Sequence, residues 1–154
     1  MEKKIDKELT ITRIFNASRE LVWKVWTDAK HIQQWWGPKG FTNPVCEWNA
    51  RAGEKIFIQM KGPDNMIYPM DGIFDEIIKP EKIVFTSAAL DKNGNRLFEI
   101  INTITFVEDK NKTKLILHFT VINATPEGAP YLAGMETGWN MSLDKLTDYL
   151  HDQK

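Results

Sequence analysis

The chain has 154 residues, 27% of them charged, with a net charge of -1. A chain of that length can bury roughly 70% of its unfolded surface in one domain, and charges this balanced leave no basic field for nucleic acid or an anionic membrane. Cys46 is the only cysteine, which excludes an internal disulfide and a thiolate-rich metal site and suits a reducing compartment.

Met1 to Glu8 is charged rather than apolar, and no apolar run is long enough to cross a bilayer. The expectation is a cytoplasmic protein without membrane insertion, formed by one domain over residues 1–154 with its core at about 8–151. Six Trp, eight Phe and three Tyr are many large rings for such a chain. They can fill a core or line a cavity.

Leu9, Ile11, Ile14 and Phe15, interleaved with Thr10 and Thr12, predict an opening strand that ends near Asn16. Ser18 is an N-cap candidate, and Leu21, Val22, Val25, Trp26 and Ala29 recur at helical spacing behind it as a core stripe. Thr27 or Asp28 can cap a second short helix with Ile32, Trp35 and Trp36, which the run Gly37-Pro38-Lys39-Gly40 must end.

Six strands follow, at about Phe41–Arg51, Lys55–Met60, Met66–Ile78, Lys82–Leu90, Arg96–Glu108 and Lys112–Ile122. Turn-prone segments join them, with Asn93-Gly94 a strong hairpin signal, so they form an antiparallel meander. From near Pro130 to Leu150, the residues Leu132, Met135, Trp139, Leu143, Leu146 and Leu150 make one apolar helical stripe. That helix needs an apolar surface, and the sheet is the large one available. The expected class is α+β, a curved antiparallel sheet of about seven strands around a long C-terminal helix.

With this order of elements, several short motifs fall into a known pattern: Val22-Trp23 and Thr27-Asp28, Trp35-Trp36-Gly37-Pro38, Cys46 with Arg51 and Gly53, Asp71-Gly72-Ile73-Phe74-Asp75-Glu76-Ile77, Pro80 through Phe85-Thr86, and Gly138-Trp139 with Leu143, Leu146 and Leu150. Over nearly its whole length the chain resembles the START-like (SRPBCC) superfamily, in the branch named for the activator of heat-shock protein 90 ATPase. It departs from that branch at Asn49, where an acidic residue is usual, and at Gly53-Glu54, where a glycine pair is usual. The resemblance implies a helix-grip fold with a cavity between helix and sheet. It implies no single activity, since the superfamily includes lipid carriers, hormone receptors, cyclases and co-chaperone domains.

The candidate site residues are Trp35, Trp36, Arg51, Phe74, Phe98, Ile100, Asn102, Met135, Gly138 and Trp139. Adjacent indoles on a helix point about 100° apart, so only one of Trp35 and Trp36 can be fully committed to the core and the other stands near a rim. Gly134 and Gly138 either let the last helix sit close on the sheet or leave room for a ligand, with Tyr131, Met135 and Met141 nearby. Phe98, Ile100, Asn102, Ile104 and Phe106 share one strand face, so Asn102 is a buried amide that must bond a neighbour, a water or a ligand. Arg51 shares a face with Glu47 and Asn49; it either anchors a ligand carboxylate or pairs with Glu47.

Enzyme signals are thin. His31, His118 and His151 are unpaired by spacing with any nucleophile or second ligand, and Cys46 reads as a packed thiol. Alternation puts Asp71 and Asp75 with Ile73 and Ile77, and Glu76 with Phe74. No cofactor is expected, and the oligomeric state is monomer or homodimer. The adopted expectation is non-catalytic binding of a small hydrophobic or amphipathic molecule in the cavity. Its rivals are a chaperone-associated domain of the stress response, with weak contact to a chaperone, and a cyclase-like enzyme using a pocket carboxylate, Glu76 or another acid, as base.

Overall fold

The computed structural model describes residues 8–153. Strand β1 (Glu8–Phe15) leads through Ser18, whose side chain accepts from the Leu21 amide, into helix α1 (Arg19–Thr27). Between the two cap candidates the second helix uses Asp28: its Oδ1 accepts from the Lys30 amide at 2.9 Å and starts α2 (Ala29–Trp35). Thr27 is engaged elsewhere, its hydroxyl donating to the Trp23 carbonyl.

The meander then runs through β2 (Thr42–Trp48), β3 (Lys55–Lys61), β4 (Ile67–Ile78), β5 (Lys82–Leu90), β6 (Arg96–Asp109) and β7 (Lys112–Ala124). All neighbours are antiparallel, in the order β1-β7-β6-β5-β4-β3-β2, so β1 adds to the end of the meander beside β7. Turn chemistry sets the joints. Between β6 and β7, Lys110 and Asn111 both have positive φ, the two-residue turn whose twist matches the strands it joins. The Asn93-Gly94 hairpin is a longer loop, in which Asp91 Oδ1 accepts from the amides of Asn93 and Asn95. Strand β2 stops at Trp48, short of the expected Arg51, because the chain turns there: the Arg51 amide donates to Asn49 and the Glu54 amide to Arg51.

The C-terminal helical stretch is not one helix. A 3-10 turn at Pro126–Gly128 and a short α3 (Ala129–Ala133) precede a break at Gly134, and α4 (Met135–Asp152) carries the buried stripe Trp139, Leu143, Leu146 and Leu150. Arg13 of β1 anchors α4 by donating to Asp144 Oδ1 at 2.6 Å and Asn140 Oδ1 at 3.0 Å. The alternating inner row Leu115, Leu117, Phe119 and Val121 of β7 and its counterpart on β6 make the concave, buried face. At one end of that face α1 inserts Trp23 and Trp26 edge-on against Phe106, and Trp139 of α4 stacks on Trp26 at 6.2 Å. The other end is not filled.

Candidate ligand-binding cavity

In the unfilled end lies a cavity of about 420 Å³. Its sheet side is built by Met70 of β4, Phe85 and Ser87 of β5, and Phe98, Ile100 and Asn102 of β6, successive inward positions of neighbouring strands. Met135, Gly138, Trp139 and Ser142 of α4 face them. Trp36, Gly37, Pro38 and Phe41 close one side, while Met60, Tyr68 and the exposed Tyr131 and Gly134 edge the opening.

The loop after α2 is held as a wall. Asn43, almost fully buried, donates to the carbonyls of Gln33 and Trp36, and Gln33 returns a bond to the Asn43 carbonyl. From α4, the Lys145 ammonium reaches the carbonyls of Trp36, Pro38 and Phe41 at 3.2–3.4 Å, and burial lowers its pKa. Gly37 has φ of +92°, and a Cβ there would lie 3.0 Å from the Met60 sulfur, so glycine alone fits this corner. Trp36 is thereby set edge-on to Trp139, with ring centres 5.2 Å apart.

Seven of the residues singled out in the sequence line this space together: Trp36, Phe98, Ile100, Asn102, Met135, Gly138 and Trp139. Three do not. Trp35 has no exposed surface; its indole donates to the Val25 carbonyl at 2.9 Å and packs on Trp26, making it the core member of the indole pair. Phe74 stands behind the wall, its ring edge-on to Trp48 at 4.9 Å. Arg51 is exposed in the β2–β3 turn rather than on a strand face, lies outside the cavity lining, and makes no ion pair with Glu47 among the described residues.

A β-bulge also changes the carboxylates. The register shift between Phe74 and Glu76 absorbs Asp75 as an extra residue, so Glu76 points outward to Lys82 at 2.7 Å instead of sharing Phe74's inner face. Asp75 accepts from the Thr86 hydroxyl. Of the histidines, His31 bonds the Tyr149 hydroxyl and His118 faces Glu8 on the outer side of the sheet. Cys46 is half-buried with its sulfur 3.8 Å from the Ala29 carbonyl, and burial pushes the thiol up to about 11. No Asp, Glu, Lys, Arg or His is among the described residues that line the cavity.

Residues 16–151 match the family described as Activator of Hsp90 ATPase homolog 1-like protein. The chain belongs to that family. No curated protein matches it. Among solved structures, the AHSA1 protein from Silicibacter pomeroyi aligns with a TM-score of 0.82 at 23% identity, over 96% of this chain and 100% of the other. A protein from Arthrobacter aurescens gives 0.81 at 24% identity, over 94% and 86%, and one from Staphylococcus epidermidis 0.78 at 23%, over 99% and 94%. Likeness at this identity speaks for the helix-grip fold. Family membership is compatible with a ligand-binding or a chaperone-associated SRPBCC domain. No helix among the described residues is long and apolar enough to cross a membrane.

Residues that sequence reasoning missed include Phe85, Ser87, Met60 and Tyr68. For two of them a signal existed: Ile83, Phe85 and Ser87 alternate with Val84 and Thr86, so Ser87 is a second polar break in an apolar row, like Asn102. Met60 and Tyr68 join the site only because β3 and β4 pair there.

Proposed function

We propose that this family member binds a small, uncharged, largely apolar molecule in the cavity between the sheet and α4. The observation that carries the reading is a 420 Å³ space whose lining holds no ionisable acid or base other than tyrosine. That volume lies within the range of small-molecule sites, and the lining suits burial of an apolar body with a few polar groups to orient it. General acid-base chemistry has no carboxylate or imidazole there to use. Chaperone association is what the family's description offers as the rival reading, and it has no need of an open, lined cavity.

The test is binding of a dye that fluoresces in apolar surroundings, compared between the native chain and Gly138→Trp, with native mass spectrometry to detect a co-purifying molecule. Saturable binding lost in Gly138→Trp with the fold intact is the expected result. Equal binding by both removes the support for a cavity ligand. A several-fold rise in the ATPase of the chaperone from the same cell, abolished by Trp36→Ala, would move the assignment to a co-chaperone.

A further inference from the structure

Resting on that reading of the cavity, one side-chain pair in its wall narrows the ligand's chemistry. Asn102 lies on β6 opposite Phe85 of β5, and Ser87 opposite Ile100, which makes Asn102 and Ser87 diagonal neighbours on the inner face. Asn102 is 1% exposed and Ser87 7%, yet both line the cavity. The Asn102 amide nitrogen donates to the Phe85 carbonyl at 3.3 Å and to Ser87 Oγ at 3.0 Å. A carbonyl oxygen only accepts, so the amide's orientation is determined and its oxygen is turned to the other side.

That oxygen, Asn102 Oδ1, is buried and has no partner among the described residues. Ser87 Oγ accepts from Asn102, and its own hydrogen has no acceptor there either. The other hydroxyl groups of the lining are committed or at the edge. Ser142 donates to the Gly138 carbonyl, Tyr68 to Asp64, and Tyr131 is an exposed residue of the opening. A buried acceptor left unpaired is unfavourable, and a buried pair with one acceptor and one donor side by side is complementary to a group with one donor and one acceptor on the same atom.

We infer that Asn102 Oδ1 and the Ser87 hydroxyl together bind a hydroxyl group of an otherwise apolar, uncharged ligand: the ligand O–H donates to Asn102 and its oxygen accepts from Ser87. Across the cavity, Gly138 contributes no side chain, and even a Cβ there would meet only Pro38 Cγ at 3.7 Å, so the apolar body has room beside Gly138, against the paired rings of Trp36 and Trp139. A carboxylate in place of the hydroxyl is rejected, because it would be buried beside the Asn102 oxygen with no cation in the lining.

The test uses calorimetric titration of the full chain with four probes: 2-naphthol, 2-methoxynaphthalene, naphthalene and 2-naphthoate. The affinity ratio of naphthol to naphthalene is compared between the native chain, Asn102→Leu and Ser87→Ala, which cancels the difference in hydration of the two compounds. We expect that ratio to fall about tenfold in Asn102→Leu and about threefold in Ser87→Ala, as the loss of one hydrogen bond each. 2-Methoxynaphthalene, which keeps the oxygen but not the donor, loses its disadvantage against naphthol in Asn102→Leu. Should Asn102→Leu fail to fold, the Ser87→Ala ratio and the native preference for naphthol over its methyl ether decide. An unchanged ratio in the variants, or naphthoate binding as tightly as naphthol, overturns the hydroxyl assignment while leaving the cavity reading in place. Absence of binding by all four probes overturns both.

Discussion

Gly138 is where stability and occupancy of the cavity part company. It lies in the first turns of α4, its amide donating to the Gly134 carbonyl at 2.9 Å, and glycine in a helix is less stable than alanine by about 0.5–1 kcal/mol. Steric terms do not offset that gain: the Cβ of Gly138→Ala would meet one atom, Pro38 Cγ, at an ordinary 3.7 Å. For a chain of this size the substitution is expected to raise Tm by about 1–4 °C, read by circular dichroism at 222 nm. Gly138→Trp places an indole in the same space and is expected to weaken binding of an apolar dye more than tenfold while the chain stays folded. If Gly138→Ala lowers Tm, the helix is sitting too close for a side chain and the glycine serves packing; if Gly138→Trp binds the dye as the native chain does, the dye is not in this cavity.

Asn43→Ala leaves the carbonyls of Gln33 and Trp36 without their shared donor in a buried site, and urea denaturation should show a loss of about 2–4 kcal/mol with an unchanged slope. At pH 8 a thiol pushed up from 9.0 to about 11 has about a hundredfold less thiolate, so alkylation of Cys46 by iodoacetamide should run about a hundredfold slower than that of a cysteine with the ordinary value, and at the ordinary rate in urea. The Arg13 bond holds the Asp144 carboxyl below its ordinary 3.8, with Lys39 adding to it. Its folded-state pKa is depressed, so its contribution to stability is present above pH 3.8 and is lost as pH falls through the lower folded value. Carboxyl titration by NMR should place Asp144 below 3.8 in the native chain and return it upward in Arg13→Met.

Periodicity by itself determined the elements of this protein. Seven strands, two short helices and a buried C-terminal stripe follow from spacings of two and of three or four, because those spacings state which side chains leave water together. The same local logic identified Asn102, an amide on the inward parity of an apolar strand, and required that Trp35 and Trp36 face different surroundings. Which indole went to the core was decided by tertiary contacts: the Val25 carbonyl lies in reach of Trp35 and the unfilled end of the sheet in reach of Trp36. Alternation carried on too far at two places. It placed Arg51 on a strand that had already turned at Asn49, and it kept Glu76 in step with Phe74 across a bulge at Asp75, since one extra residue inverts every later side chain and leaves no trace in the pattern of hydrophobicity. The break at Gly134 was hidden in the same way by a stripe that continues on both sides of it. The family resemblance implies a cavity, but its walls and opening belong to the tertiary structure. A row of inward residues describes a wall, but whether a facing wall fills the gap depends on how α4 is anchored by Arg13 and Lys145 and on the missing side chain of Gly138 opposite Asn102 and Ser87.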